Sequence, residues 1–409
     1  MYIADFHIHS KYSRATSKNM QLDELARWAG YKGINLLGSS DFTHFLWYHE
    51  LKEKLKETDR EGIYHYGGIA FILTTEVSHI YEKYGKTKKV HNIIFISSIE
   101  HAGKLNRVLE RYADLNSDGR PILPFEAKEI VNIVSDVDEK GFVVPAHIWT
   151  PHFSLFGSNS GFDTIEECFE ETVKEIFALE TGLSSDPAMN WMVSALDKFS
   201  LISNSDAHSP WKIGREANVF DSAFSFSELK NILKSKDRKR FLFTVEYFPE
   251  EGKYHFDGHR NCNVCLSPEE SLEKNNLCPV CGRKITIGVL HRVRDLADRD
   301  YGTKHKDSIP FKKLIPLSQI IGFALNKPAD SISVRNKLIE AVKSIGSEFS
   351  ILFEIPLNEL KGKIDGNIVD LLYKMREGEI QIKPGYDGEF GTIKISGESN
   401  QDADIQSLF

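Results

Sequence analysis

Imidazole and carboxylate side chains in the first half of this chain cluster at the ends of short apolar runs. The runs are Tyr2–Phe6, Ile34–Leu37, Ile69–Leu73, Ile93–Ile96, Phe142–Val144, Ile176–Leu179 and Leu201–Ile202. Asp5, His7 and His9 close the first, Asp41 and His44 follow the second, and Glu76 follows the third. His91 opens the fourth, so its chain direction differs. His147 follows the fifth, and Asp206 and His208 close the last. Helical spacing fills the gaps, as in Leu22, Leu25, Ala26 and Ala29, closed by Gly30 and Gly33, and in Leu105, Val108, Leu109 and Tyr112. Strands alternating with helices predict βα units around a parallel sheet. In a β/α barrel the carboxyl ends of the strands converge on one concave site, so these separated residues are expected to meet.

The spacing carries chemistry. His7 and His9 are two apart on a strand, leave the same face and can grip one metal; Asp206 and His208 repeat the pattern. Imidazole with carboxylate suits Zn, Mn or Fe rather than a calcium cage. A carboxylate such as Glu76 can bridge two metals, and such a centre activates water and stabilises charge at phosphorus. The sequence has no GxSxG and no GxxxxGK[ST], so neither a serine hydrolase nor a P-loop enzyme competes.

The second half reads differently. Cys262 and Cys265, then Cys278 and Cys281, form two CxxC pairs separated by twelve residues, the pattern of a zinc ribbon. Four thiolates close a tetrahedral zinc site with no open position, so the role is structural; His255 and His259 are the substitute ligands. Cys168 stands apart as a buried, inert thiol. Gly282–Lys313 holds nine Lys/Arg against four Asp. Helical patterns cover Val334–Ile345 and Ile368–Met375, followed by a hairpin of Ile380–Ile382 and Gly391–Ile395. With 409 residues, about two to three domains are expected. We place them at 1–245 (barrel), 246–290 (zinc module) and 291–409 (a mainly helical domain with a hairpin and a polar tail). CxxC pairs without a secretory signal suit a reducing compartment, so a cytoplasmic protein is expected, and no run approaches the length of a membrane span. The net charge of −8 does not advertise a nucleic-acid binder, nor does it exclude one, because the local field over a groove matters more than the total.

In order, Asp5-Phe-His-Ile-His-Ser10, Ser40-Asp41, Glu76, His91, Ala146-His147 and Ser205-Asp-Ala-His208 resemble the motifs of the polymerase-and-histidinol-phosphatase (PHP) superfamily. The resemblance implies an α/β fold with a distorted seven-stranded barrel, two or three divalent metals (Zn, Mg or Mn) and phosphoester hydrolysis. It implies one metal on His7, His9, Glu76 and Asp206, and a second on Glu76, His91 and His147. His208 would serve a third, partnered by Asp41 or His44. The family's His shortly after HxH is missing from Lys11-Tyr12-Ser13-Arg14-Ala15, where Arg14 becomes the candidate to hold a phosphate.

Nearly the whole chain resembles the endonuclease Q family. The motifs are Tyr12-Ser-Arg-Ala-Thr-Ser17, Thr150-Pro151, Phe153-Ser-Leu-Phe-Gly157, Glu180-Thr-Gly-Leu-Ser-Ser-Asp-Pro187, the cysteine pairs, Gly288-Val-Leu-His-Arg-Val293, Leu296-Ala-Asp-Arg299 and Lys383-Pro-Gly-Tyr-Asp-Gly388. This resemblance implies a DNA-repair endonuclease that cuts 5′ of deaminated bases (uracil, hypoxanthine, xanthine) or abasic sites, leaving 3′-hydroxyl and 5′-phosphate ends. It implies a flipped nucleotide, for which Trp149, Phe153, Phe156, Thr181 and Ser184 are the pocket candidates. Arg283, Lys284 and Arg292 are the candidates for the DNA backbone. The alternatives are a PHP phosphoesterase acting on a small phosphomonoester or undamaged DNA ends, and a catalytically inactive DNA-binding protein. The C-terminal Ile405–Phe409 resembles a sliding-clamp-binding motif.

Overall fold

The computed structural model describes residues 1–304 and 306–395. The expected clamp motif, Ile405–Phe409, lies outside the described residues. Two compact units are present. One comprises Met1–Ala29, Ile34–Tyr247 and Val289–Lys312; the other comprises Gly30–Gly33, Phe248–Gly288 and the chain from Lys313 onward.

The first unit is built on strands β1 (Tyr2–Asp5), β2 (Leu36–Gly38), β3 (Ile63–Tyr66), β4 (Ile69–Lys83), β5 (Lys86–Ile96), β6 (Ile122–Leu123), β7 (Phe142–Pro145), β8 (Ala178–Glu180), β9 (Ser200–Ile202), β10 (Ala217–Phe220) and β11 (Phe241–Glu246). β1, β2 and β4 run parallel, with Ala4 opposite Leu36 and Leu36 opposite Ala70. β5 runs antiparallel to both neighbours, β4 and β7. The ring continues through Ile148 N–H to the Glu180 carbonyl at 3.1 Å and through the parallel pair β8–β9. A bridge between Ala207 and Ile8 returns it to β1. Seven strands thus close on themselves, one of them reversed. β10 and β11 extend the sheet beyond β1, antiparallel.

Alternation along these strands divides their side chains. Tyr2, Ala4 and Phe6 enter an apolar core with Phe95, Phe142, Phe220, Phe226 and Phe241. Phe95 stacks on Phe142 at 4.4 Å and Phe220 on Phe241 at 4.6 Å. A helix, Phe226–Ser235, shows why a sequence stretch becomes an element. Ser225 caps it by accepting from Glu228 N–H, and Phe226, Leu229, Ile232 and Leu233 bury one face. Each such side chain contributes about 1.5–3 kcal/mol.

In the second unit, β12 (Asp257–His259) and β13 (Val264–Leu266) form a hairpin beside the cysteine knuckles. Helices Leu317–Leu325, Ile332–Ser344 and Gly366–Arg376 follow, then a hairpin of β14 (Ile380–Lys383) and β15 (Thr392–Ile395). The compact units are drawn differently from the three expected domains. Val289–Lys312 joins the barrel because its side chains anchor there: Arg299 pairs with Asp197, and Asp298 accepts from Ser194 N–H at 2.8 Å. No helix among the described residues is long and apolar enough to cross a membrane.

Glu246 ends β11 wholly buried, accepting from the hydroxyls of Thr244 at 2.5 Å and Thr181 at 3.0 Å. Burial, with the charge of Asp186 after it, pushes its pKa up to about 8, against 4.5 when unperturbed. The folded chain therefore keeps a proton that the unfolded chain has lost, and stability falls as pH rises from about 5 to about 8. Glu246→Gln should flatten that decline, read by denaturant unfolding across the range; an unchanged slope would contradict it.

Candidate metal centre

The barrel strands deliver their terminal residues to one point. His7 and His9 follow β1, and both turn their Nε2 atoms toward Glu76, with the buried Ile8 between them. Glu76 lies in β4, His91 in β5, His147 just after β7, and Asp206 and His208 after β9. The backbone is forced locally: Asp41, His147 and Asp206 take φ values of +36°, +29° and +45°. For residues with a Cβ this costs about 1–3 kcal/mol each, a strain that gathers at functional sites. Gly182, at φ +63°, lets His147 come close, since a Cβ there would lie 2.4 Å from that of His147.

Glu76 is the hub. Its Oε1 lies 2.8 Å from His91 Nδ1 and 3.0 Å from His147 Nε2. Its Oε2 lies 3.4 Å from His9 Nε2, 3.6 Å from His7 Nε2 and 2.9 Å from Arg120 Nη1. Asp206 Oδ1 lies 3.1 Å from His9 Nε2 and 3.6 Å from His208 Nδ1. Three groups result, each with ligand atoms within 4.8 Å of one another: His7, His9 and Glu76; His9, Asp206 and His208; Glu76, His91 and His147.

Their geometry fits divalent metal. The Nε2 atoms of His7 and His9 and the Oδ1 of Asp206 are buried, yet none makes a well-aligned hydrogen bond despite the short separations. The outer nitrogens, in contrast, are held. His7 Nδ1 meets Glu180 at 3.1 Å, His9 Nδ1 meets Asp41 at 3.2 Å, and His147 Nδ1 meets Thr150 Oγ1 at 3.1 Å. A partner on one ring nitrogen that aims the other inward is the support a metal-binding imidazole needs. Burial works against charge on His7, but Glu180 and Glu76 lift its pKa well above the usual value. Burial likewise works against ionisation of Glu76, but His91, Arg120 and His7 hold it well below the carboxylate range.

Of the residues expected at the centre, His7, His9, Glu76, His91, His147, Asp206 and His208 come together. Asp41 and His44 stand outside the three groups. The Asp41 carboxylate is used by His9 and by the Ser10 and Ser13 hydroxyls and Ser10 N–H, so it orients His9. His44 stacks on Tyr12 at 4.2 Å, and its place beside His208 is taken by His9 and Asp206. Trp149 and Phe156 are core residues rather than pocket walls: they pack on each other, 1% and 2% exposed, and the indole donates to Asn190. Thr181 is buried too, its hydroxyl turned to Glu246. Phe153, half-buried 4.9 Å from the His91 ring, and Ser184 keep open surface. Arg292 is committed to the Phe156 and Phe162 carbonyls and to Asp163, which makes it a brace and not a backbone contact. Arg14 is 77% exposed with its Nε on Asp118, and Arg283 and Lys284 are exposed.

Sequence reasoning assigns no site role to Glu180, Thr150 or Arg120. Glu180 ends the run Ile176–Leu179 as the other ligand-region residues end theirs, so the same rule would find it. Arg120 carries no comparable signal, because it lies in an irregular loop.

A fourth group sits in the second unit and brings three of the four expected cysteines together with His259, one of the two substitute ligands. His259, Cys262, Cys278 and Cys281 converge, with His259 Nδ1 3.4 Å from Cys281 Sγ. His259 pairs with Val264 across the hairpin and shares its face, whereas Cys265, one residue further along β13, points to the other. His255 stacks on Phe256 outside the group. Burial opposes ionisation of Cys278, but the amides of Cys281 and Val280 bring its pKa down to about 6, the thiolate a metal requires.

Comparison with known proteins extends this picture. A family model described as the MJ0043 C-terminal domain matches residues 316–379. The uncharacterized protein MJ0043 of Methanocaldococcus jannaschii is 33% identical over 60% of this chain, and the match spans only 31% of that relative's length. The uncharacterized protein YqxK of Bacillus subtilis is 30% identical over 96% of this chain and 98% of its own. Among solved structures, the lesion-specific endonuclease PfuEndoQ from Pyrococcus furiosus is similar at a TM-score of 0.84, 30% identical over 96% of this chain and 95% of that one. An endonuclease Q complex with a 27-mer duplex carrying an abasic lesion at the active site matches at 0.83, 30% identical over 96% of each chain. A closed α/β barrel that gathers imidazoles and carboxylates around a shared glutamate, on a chain that follows a solved nuclease almost from end to end, defines a metal-dependent nuclease. The chain belongs to the endonuclease Q family.

The ligand exchange in the cysteine module is testable. Cys278→Ser should remove about one metal ion per chain and lower the thermal midpoint, since binding at such sites is folding free energy. Cys265→Ser should keep the metal. Equal loss in both variants, measured by elemental analysis, would restore Cys265 as the ligand.

Proposed function

We propose that this protein is a DNA-repair endonuclease that hydrolyses the phosphodiester 5′ of a deaminated base or an abasic site, leaving 3′-hydroxyl and 5′-phosphate ends. The observation that carries this is the set of three ligand groups linked through Glu76 and His9. They occur in a chain that matches, over 96% of its length, an endonuclease Q solved on an abasic duplex.

Divalent metals bound there would supply an activated water and neutralise charge at phosphorus. His7, His9 and Glu76 would hold one; Glu76, His91 and His147 a second; His9, Asp206 and His208 a third. The remaining residues act by position. Glu180, Asp41 and Thr150 lock the imidazoles so that no reorganisation is needed as charge develops. His208 is the most exposed imidazole of the set, its side chain 30% accessible. Burial lowers its pKa below the usual value despite Asp206, which favours the neutral ring that a metal ligand requires. Phe153, beside His91, and Ser184, two residues after the Gly182 that abuts His147, suit the wall of a pocket for a flipped nucleotide. Arg14, Arg283 and Lys284 suit phosphate contacts that position the duplex without reading its sequence. The metal of the cysteine module is structural, because four protein ligands leave no open position.

A nicking assay on end-labelled duplexes with one uracil, one hypoxanthine or one abasic site tests the proposal. Cleavage 5′ of the lesion is expected, dependent on divalent metal. His9→Ala and Asp206→Asn should each slow it at least about a thousandfold while keeping most of the DNA affinity. Phosphate release from monoesters alone, or lesion binding without a cut, would contradict it.

A further inference from the structure

The loop that carries Arg120 is a strap fastened across the edge of the metal centre. Gly119 N–H donates to the Tyr12 carbonyl at 3.1 Å, and the Gly119 carbonyl accepts from Thr43 Oγ1 at 3.1 Å. A Cβ on Gly119 would fall 2.4 Å from both Asp41 Oδ2 and Ser13 Oγ, so only glycine lets the strap lie this close to the residue that orients His9. On the far side, the Pro121 carbonyl accepts from Ser78 N–H at 2.9 Å, two residues along β4 from Glu76. Asp118 completes the fastening by accepting from Arg120 N–H at 3.1 Å.

These anchors aim one side chain. Arg120 Nη1 donates to Glu76 Oε2 at 2.9 Å, on the oxygen that also faces His7 and His9. Nε and Nη2 have no hydrogen-bond partner among the described residues, and the side chain is 24% exposed. A guanidinium is a planar fork with permanent charge, and its free edge matches two phosphate oxygens at once. Pairing with Glu76 uses Nη1 alone and leaves the other edge of the fork open.

We infer that Arg120 is a catalytic residue that grips the non-bridging oxygens of the phosphodiester being cut through Nε and Nη2, with Nη1 kept on Glu76. This rests on the nuclease reading above. The contact strengthens as negative charge builds on those oxygens, so it favours the transition state over bound substrate. Since Glu76 steers the fork, the cation is presented in register with the centre before substrate arrives.

The test uses full-length protein and a duplex with a single abasic site, bound over a salt series without divalent metal and cut with metal present. Arg120→Gln should weaken binding roughly tenfold and lower the slope of log affinity against log salt by about 0.9, the signature of one lost phosphate contact. It should slow single-turnover cutting by about 100- to 1000-fold with metal content unchanged. Arg120→Lys should recover the salt slope but not the rate, because it keeps the charge and loses the fork. A role confined to holding Glu76 predicts instead lost metal and an unaltered slope, and that result overturns the inference. An Arg120→Gln protein that cuts within about threefold of wild type overturns it as well. Wild-type protein that neither binds nor cuts the duplex would sink the nuclease reading itself, an outcome distinct from both.

Discussion

A wholly buried carboxylate, Glu76, organises the barrel. An ionised group in that position carries an effective desolvation cost of several kcal/mol unless partners surround it. Four imidazoles and a guanidinium do so: His91 and His147 approach one oxygen, His7, His9 and Arg120 the other. Because these partners come from the segment after β1, from β5, from the turn after β7 and from a loop before β6, the charge is balanced only when the ring of strands is closed and in register. Fold and chemistry therefore constrain each other at a single side chain.

The backbone answers the same demand. Strand ends that must turn ligands inward adopt positive φ at Asp41, His147 and Asp206, and glycines at 119 and 182 let neighbouring segments close to contact distance. Local strain at these points is offset by the buried aromatic core beneath them, where Phe6, Phe95, Phe142 and Phe220 pack without polar interruption. The outer shell of Glu180, Asp41 and Thr150 then converts a set of nearby imidazoles into a set of aimed ones.

Much of this is legible in the sequence because apolar runs bounded by ligand-type residues are a direct record of strand ends. Helices at Ile332–Ser344 and Gly366–Arg376 and the final hairpin follow their periodicity closely. The failures have physical causes. β4 runs on to Lys83, past the apolar stretch that announces it, because its polar half is paired residue by residue with β5. Cys265 fits a CxxC pattern, but pleat alternation turns it from the other thiols. His259 cannot be ranked above it as a ligand until the hairpin register sets it opposite Val264. Trp149, Phe156 and Thr181 resemble pocket residues by neighbourhood alone, and burial assigns them to packing. Arg120 is invisible because a loop residue has no periodicity, and only the folded strap brings it to Glu76.

Anomalous scattering from crystals soaked in manganese would show whether Glu76 bridges two metals. Peaks are expected on both sides of the Glu76 carboxylate, about 3.5–4 Å apart. One peak would adjoin His7 and His9, and the other His91 and His147. A map with no peak beside Glu76, or with metal held only elsewhere in the barrel, would contradict it.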